Sequence, residues 1–319
     1  LELLAAKVGG LSADRLQKPI VRLPRSAFRR GLDRRLHSVK WAALLWLFKR
    51  EIVAVRAAFS VEPLARILVA YPDISLKPVR PYLVGSLKRQ HRSSAVIGHY
   101  TAAARIMTAE AFVESHTNSV RLMALPTNAG EITVNLTGQE GLYREAEWRL
   151  VLNLDGSAAI EMGLAIVDKR MLGLVGDGAV LWIGVLKVAV AGKRGLEVSR
   201  ALTKAADGLR PKALLLLVAQ TLARAFKLAG VFAASNKGHV FAGDYSLRHR
   251  IKADYDSFWE ESGGVRVNPS MFCLPPTKMQ RDPNEYKPNK RAQIRRRQIL
   301  EREIEKRVLE AVALLICRE

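Results

Sequence analysis

The sequence predicts an α+β fold in which a helical N-terminal region is followed by an antiparallel meander and then a strand-helix-strand crossover, giving a mixed sheet. Three observations carry that reading. Apolar residues recur at helical spacing through most of the first 115 positions. From about Val120 the pattern changes to short β-rich runs broken by turn residues. Later, an apolar stretch opened by Pro211 and closed by Ala229-Gly230 lies between two such runs, as a crossover helix does. With 319 residues, 49% of them hydrophobic, the chain can bury one large core or two smaller ones.

The N-terminal LELLAAKV reads as a helix, followed by a basic stretch from Arg22 to Arg35 and an apolar-rich helix from about Val39 to Ala58. Arg22, Arg25, Arg29, Arg30, Arg34, Arg35 and Lys40, followed by Trp41 and Trp46, fit either a solvated face on a core helix or an amphipathic helix laid on anionic lipid. Trp41 to Phe48 is far shorter than the ~20 residues of a spanning helix and is closed by Lys49, Arg50 and Glu51, so no transmembrane segment is expected. Proline-marked breaks at Tyr71-Pro72-Asp73 and Lys77-Pro78-Val79-Arg80-Pro81 precede a helical segment from about Val84 to Met107, which carries His91, His99 and Tyr100.

The β-rich runs are Ile132–Thr137, Glu147–Asp155, Ala158–Asp168 and Ala179–Val190, with turns at Asp155-Gly156-Ser157 and Gly176-Asp177-Gly178. Alternation is clearest from Glu147 to Leu154, as a half-buried strand requires, and the following Asp-Gly-Ser suits a tight hairpin. A helix over about Leu196–Ala206, a break at Asp207-Gly208-Leu209-Arg210, a buried helix from Lys212 to about Leu228 and a strand over Val231–Asn236 complete the crossover. Beyond Gly263-Gly264 the chain reads as a proline-rich loop until Pro288, then as a helix over Lys290–Cys317 with a basic start and an apolar end. These breaks divide the chain into a helical region 1–115, an α/β core 116–265 and a C-terminal loop and helix 266–319; no internal repeat marks a solenoid or propeller.

Charge narrows function. Lys and Arg number 51 against 30 Asp and Glu, a formal net charge of +21, so the expected partner is anionic: a small molecule such as an acyl-CoA, an anionic lipid or a nucleic acid. Cys273 and Cys317 stand far apart outside any CxxC, and no apolar leader with a small-residue cleavage site is seen; both features point to the cytoplasm, with peripheral association at the inner membrane as the alternative.

No GxxxxGK[ST], GxGxxG or GxSxG occurs, which disfavours P-loop, Rossmann and nucleophile-elbow chemistry. The six histidines are scattered without HxH or HExxH spacing, so no metal site is expected. Lys204, Gly208, Arg210 and Lys212 cluster at the start of a buried helix, where free N–H groups and cations favour a phosphate or pyrophosphate; a plain basic helix start is the alternative. His239, just past a predicted strand end, is the leading candidate for a general base. Asn236 is read as a turn former and joins the four preceding residues as a candidate for cofactor binding. Glu147, at the head of the clearest strand, is the second candidate for proton transfer, and Tyr255, Phe258 and Trp259 read as core contacts at i, i+3 and i+4.

The chain from about His91 to Leu300, about two-thirds of it, resembles the VirK/YbjX family of bacterial proteins. The resemblance rests on an ordered series: His99-Tyr100, Arg144-Glu145-Ala146-Glu147, Ile183-Gly184-Val185-Leu186, Thr203-Lys204 with Gly208-Leu209-Arg210-Pro211-Lys212, and Ser235-Asn236 with His239. It continues through Tyr255-Asp256-Ser257-Phe258-Trp259, Gly263-Gly264, Leu274-Pro275, Arg281 and the run Lys290-Arg291 with Arg295-Arg296-Arg297. It implies a cytosolic protein of Gram-negative bacteria linked to virulence and to tolerance of cationic antimicrobial peptides through the cell envelope, with no established reaction. Two departures stand out: Val185 to Val188 replace a glycine-rich turn, and Ala146 replaces a glycine.

Two functions follow as expectations. One is an acyltransferase of GNAT-like layout, with acyl-CoA pyrophosphate held at Gly208–Lys212 or at the Lys187–Gly195 turn, and His239 or Glu147 handling the acceptor's proton. The other is a non-enzymatic basic protein that holds nucleic acid or anionic lipid.

Overall fold

The computed structural model describes residues 41–138, 144–189, 192–243, 251, 253–278, 280 and 282–317. The predicted LELLAAKV helix, the basic stretch to Lys40, and Arg281 lie outside them. Among the described residues, helical residues 41–47 lead into α1 (Lys49–Ala58), then α2 (Leu64–Ala70), a 3-10 segment (Pro72–Val79), α3 (Arg89–Ile106) and α4 (Ala109–Thr117). Thr108 caps α4, its side chain accepting from the Ala111 N–H at 3.3 Å.

Eight strands form one sheet: β1 (Ser119–Thr127), β2 (Gly130–Thr137), β3 (Trp148–Leu154), β4 (Ser157–Asp168), β5 (Ala179–Val188), β6 (Val231–Ala234), β7 (Val265–Asn268) and β8 (Met271–Leu274). Their order is β1-β2-β3-β4-β5-β6-β8-β7, and every pairing is antiparallel except β5 with β6. The predicted mixed sheet is therefore present. At the β3–β4 turn Asp155 and Gly156 both take positive φ, 47° and 73°, the geometry of a two-residue hairpin loop that follows the strands' own twist.

Between the parallel strands run α5 (Lys193–Ala205) and α6 (Pro211–Ala225). Pro211 at the first turn gives α6 a ready-set φ, and every residue from Leu214 to Ala223 is buried because α6 packs on β3, β4 and β5 while α8 (Pro288–Ala313) packs on α6 and β1. The short α7 (Tyr255–Glu261) follows β6. The largest apolar cluster takes residues from Val55, Tyr100, the sheet, α6 and Val312, so it draws on all three segments marked by the sequence breaks.

Three local readings are corrected. The stretch after Gly263-Gly264 holds the β7–β8 hairpin, not only loop; each strand has four residues, too few to show a period. β1 was hidden by Pro126, which an edge strand tolerates because its outward N–H needs no partner. The third concerns the anion-binding turn expected at Lys187–Gly195: Val185 to Val188 are the end of β5, inside the run Ala179–Val190 read as a strand, with Val185 opposite Gly163 and Lys187 opposite Glu161. Lys187 therefore faces Glu161 at 3.5 Å rather than an anion-binding loop, and residues 190 and 191 of the expected loop lie outside the described residues.

Gly184 occupies a bulge in that ladder, since Gly163 pairs with Val185 and Leu164 with Ile183. A Cβ on Gly184 would meet the Glu145 carbonyl oxygen at 1.9 Å, so only glycine lets the 144–147 segment cross there. Gly184→Ala is expected to lower stability by about 1–3 kcal/mol through overpacking against backbone. Gly98→Ala on the exposed face of α3, with nothing within 4 Å of the new methyl, is expected to raise it by about 0.5–1 kcal/mol. Urea unfolding midpoints of the two variants check the pair.

Candidate functional site

Residues 144–147 lead into β3 across the Gly184 bulge, and the Glu147 N–H donates to the Leu164 carbonyl at 3.0 Å. That path drives the Glu147 side chain inward, where it has no exposed surface. Lys77 from the 3-10 segment donates to Glu147 Oε2 at 2.5 Å, Tyr100 of α3 donates to the same oxygen at 2.6 Å, and the Tyr82 hydroxyl donates to Oε1. Burial lowers the Lys77 ammonium pKa against the pull of Glu147, and burial together with that carboxylate raises both tyrosine hydroxyls well above their ordinary range.

A histidine pair abuts this centre. His99 Nδ1 accepts from the Ile166 N–H at 2.9 Å, which leaves Nε2 as the protonated nitrogen. Nε2 then donates to His116 Nε2 at 3.1 Å, and His116 Nδ1 donates to the Phe112 carbonyl at 2.7 Å. Every ring nitrogen is satisfied with both imidazoles neutral. Burial lowers both pKa values, that of His116 to about 3, and Trp148 packs against both rings at 4.6 and 4.9 Å.

The segment after Tyr82 joins this centre to His239. Leu83 N–H donates to the Arg144 carbonyl at 2.8 Å, Val84 forms a bridge with His239, and Gly85 N–H donates to the Gly238 carbonyl at 2.9 Å. His239 lies just past β6, as predicted, but is only 3% exposed. Its Nδ1 accepts from the Phe241 N–H at 3.3 Å, its ring stacks on Tyr255 with centroids 5.6 Å apart, and burial lowers its pKa to about 4. Glu145, also buried, has its pKa raised by desolvation, and Tyr255 is pushed up to about 12 chiefly by burial.

Asn236 ties β6 to α7. Its backbone N–H donates to Asp256 at 2.7 Å, its side-chain Nδ2 donates to Asp254 at 3.0 Å, and its side-chain Oδ1 accepts from the Tyr255 N–H at 2.9 Å. These bonds give it a connecting role, with its amide and backbone donor both engaged.

The other candidates for cofactor binding gather on a separate, solvent-facing surface. Lys204 is exposed in the last turn of α5, Gly208, at φ 84°, and Arg210 precede α6, and Lys212 lies in its first turn. The first turns of α8 lie directly on this corner: a Cβ on Gly208 would stand 2.8 Å from the Gln293 amide nitrogen, and Arg296 pairs with Asp207 at 3.1 Å. Lys290 and Arg296, three residues on either side of Gln293, share its side of the helix. Two acidic groups moderate the surface, Glu261 on Arg210 at 3.2 Å and Asp207 on Arg296, while Lys212 lies 5.7 Å from the Phe258 ring centroid. Arg295, like Lys204, is exposed. Among the described residues no group of three or more His, Cys, Asp or Glu is placed to hold a metal ion, and no helix is long and apolar enough to cross a membrane.

The structure thus sorts the predicted residues into three places: Glu147 and His239 inside, Asn236 between β6 and α7, and Lys204, Gly208, Arg210 and Lys212 on the basic surface. Sequence reading missed Lys77, Tyr82 and His116 as partners of the buried centre. Lys77 had one signal, a lysine enclosed by Ile74, Leu76 and Val79 between two prolines, whereas Tyr82 and His116 had none.

Comparison with known proteins agrees with the earlier resemblance. The family described as a protein of unknown function (DUF535) matches residues 30–310. The chain is 29% identical over 235 residues to the uncharacterized protein YbjX of Escherichia coli (strain K12), covering 71% of this chain and 68% of the relative. No solved structure matches the chain.

Two predictions test the interior. Lys77→Met leaves the Glu147 charge buried without its cation and is expected to cost about 3–5 kcal/mol. Adding Glu147→Gln removes that charge and should restore at least about 1 kcal/mol, which a double-mutant cycle in urea measures. The neutral histidines set the acid limit: His116 binds a proton near pH 6.5 when unfolded but only near pH 3 when folded. Its contribution is full above pH 6.5 and falls as pH drops toward 3, by about 2–3 kcal/mol between roughly pH 7 and 4.5. His116→Asn should flatten that part of the stability profile.

Proposed function

This chain belongs to the DUF535 family, and from that premise we propose that it is a non-enzymatic binder of a phosphate-bearing anion, held on the basic surface where α5, the Gly208 turn and the start of α8 meet. One observation carries the reading. The two basic segments, Lys204–Lys212 and Lys290–Arg297, are about 80 residues apart in sequence, yet Gln293 and Arg296 lie against Gly208 and Asp207. Lys204, Arg210, Lys290 and Arg296 then supply cations around a helix start whose N–H groups favour negative charge. The net charge of +21 draws polyanions to this surface from solution.

Acyl transfer from an acyl-CoA is the second reading, on the same pyrophosphate site and a GNAT-like order of meander, strand, helices and strand. It asks Glu147 or His239 to move a proton at the acceptor. Glu147 has no exposed surface and its oxygens receive three donors, while His239 is enclosed by Tyr255 and Phe241. A proton-transfer group must reach its substrate by hydrogen bond, so this geometry favours binding over catalysis. An envelope role of the kind the VirK/YbjX resemblance implies is compatible with anion binding.

Thermal stabilisation by pyrophosphate, coenzyme A and a short DNA duplex tests the proposal. With roughly four phosphates contacted, duplex affinity should fall by about two orders of magnitude between roughly 50 and 200 mM salt. Lys204→Glu with Lys290→Glu should remove the shift while leaving the unliganded midpoint unchanged. Salt-insensitive stabilisation by coenzyme A, retained in that variant, would instead support an enclosed acyl-CoA site.

A further inference from the structure

A second surface lies on the opposite kind of chemistry, on the helix that opens the described chain. Residues 41–47 run almost without interruption into α1, because Phe48 N–H donates to the Leu44 carbonyl and Ile52 N–H to the Phe48 carbonyl, both at 2.9 Å. One side of this rod is buried through Phe48, Ile52, Val55 and Phe59. The other side carries Trp46, Leu47 and Val53, exposed to 71%, 48% and 53%. Positions 46, 50, 53 and 57 fall on one helical stripe, with 47 and 54 beside it, so the apolar residues are interleaved with exposed Arg50 and flanked by exposed Lys49.

The charge on this stripe has one sign. Glu51 is the lone acid between residues 41 and 58, and it is turned away, half-buried, with Arg89 at 3.3 Å. An indole and two aliphatic side chains in water beside unopposed cations match the interfacial zone of an anionic bilayer, where an amphipathic ring sits at headgroup depth and cations meet lipid phosphate. A second copy of the chain fits less well: a two-fold interface sets the same patch against itself, bringing Lys49 and Arg50 toward their own counterparts between two molecules of net charge +21.

We infer that this face docks on an anionic lipid surface, with Trp46, Leu47 and Val53 entering the boundary between headgroups and acyl chains and Lys49 and Arg50 meeting lipid phosphates. The inference uses none of the residues of the basic surface on α5, α6 and α8, so either can fail alone.

Trp46 supplies its own reporter. Trp148, Trp182 and Trp259 are at most 1% exposed, and Trp41 is half-buried with the Arg80 guanidinium 4.6 Å from its ring centroid. The full chain is mixed with phosphatidylcholine vesicles with and without phosphatidylglycerol, and co-sedimentation and tryptophan emission are read together. Vesicles containing phosphatidylglycerol should sediment the protein and shift its emission to the blue, with quenching by brominated acyl chains, and Trp46→Phe should abolish the shift. Trp46→Ser with Val53→Asp should weaken sedimentation by about tenfold or more while leaving the thermal midpoint and duplex binding unchanged. Lys49→Glu with Arg50→Glu should weaken it without altering any apolar contact. Three results overturn the inference: no sedimentation with phosphatidylglycerol, sedimentation lost in Lys204→Glu with Lys290→Glu but kept in the Trp46 and Val53 variant, or a fall in sedimentation-velocity mass in that variant, which would assign the face to self-association.

Discussion

The Glu147 carboxylate is the point on which the rest of the structure depends. It is a charge with no exposed surface, and three donors from three places in the chain converge on it: Lys77, Tyr82 and Tyr100. A buried carboxylate left without partners costs several kcal/mol, so these donors and the sheet position one another. The arrangement fastens the 3-10 segment and α3 to the head of β3. It contributes little net stability against an apolar alternative, but it tolerates few other packings, because each misplacement strands a charge or a hydroxyl in the interior.

Room for that carboxylate is made by backbone. The bulge at Gly184 lets the Glu145 carbonyl pass where a side chain would stand, and the segment then enters β3 with Glu147 turned inward. Ala146, where the resembling family carries glycine, is itself fully buried, so a methyl group is accommodated at that step. The neutral His99–His116 pair continues the same economy of polar groups: no ring nitrogen lacks a partner and neither ring carries charge. Interior polarity here holds elements in register, and the two surfaces proposed to meet other molecules lie elsewhere.

Those surfaces are basic and are built differently. One is assembled by α8 folding back on the α5–α6 corner; the other is the outward stripe of α1 and the turn before it. Both present cations over a protein of +21, and they differ in what accompanies the charge: helix-terminal N–H groups in the first, exposed apolar side chains in the second.

What the sequence determined was local. The meander from Gly130 to Val188 was legible because alternation and Asp-Gly turns act between near neighbours, and the α5–α6 crossover because Pro211 and Gly230 punctuate an apolar run. The four-residue strands β7 and β8 and the proline-bearing edge strand β1 fell below what a period can show. Glu147 and His239 stood out as titratable groups at a strand's head and a strand's end, yet only tertiary structure decided that both are enclosed. Glu147 meets Lys77 across 70 residues of sequence, Tyr82 across 65 and Tyr100 across 47. Separations of that size leave no periodic trace, because burial and pairing belong to the packed whole and are fixed only when the helices close over the sheet.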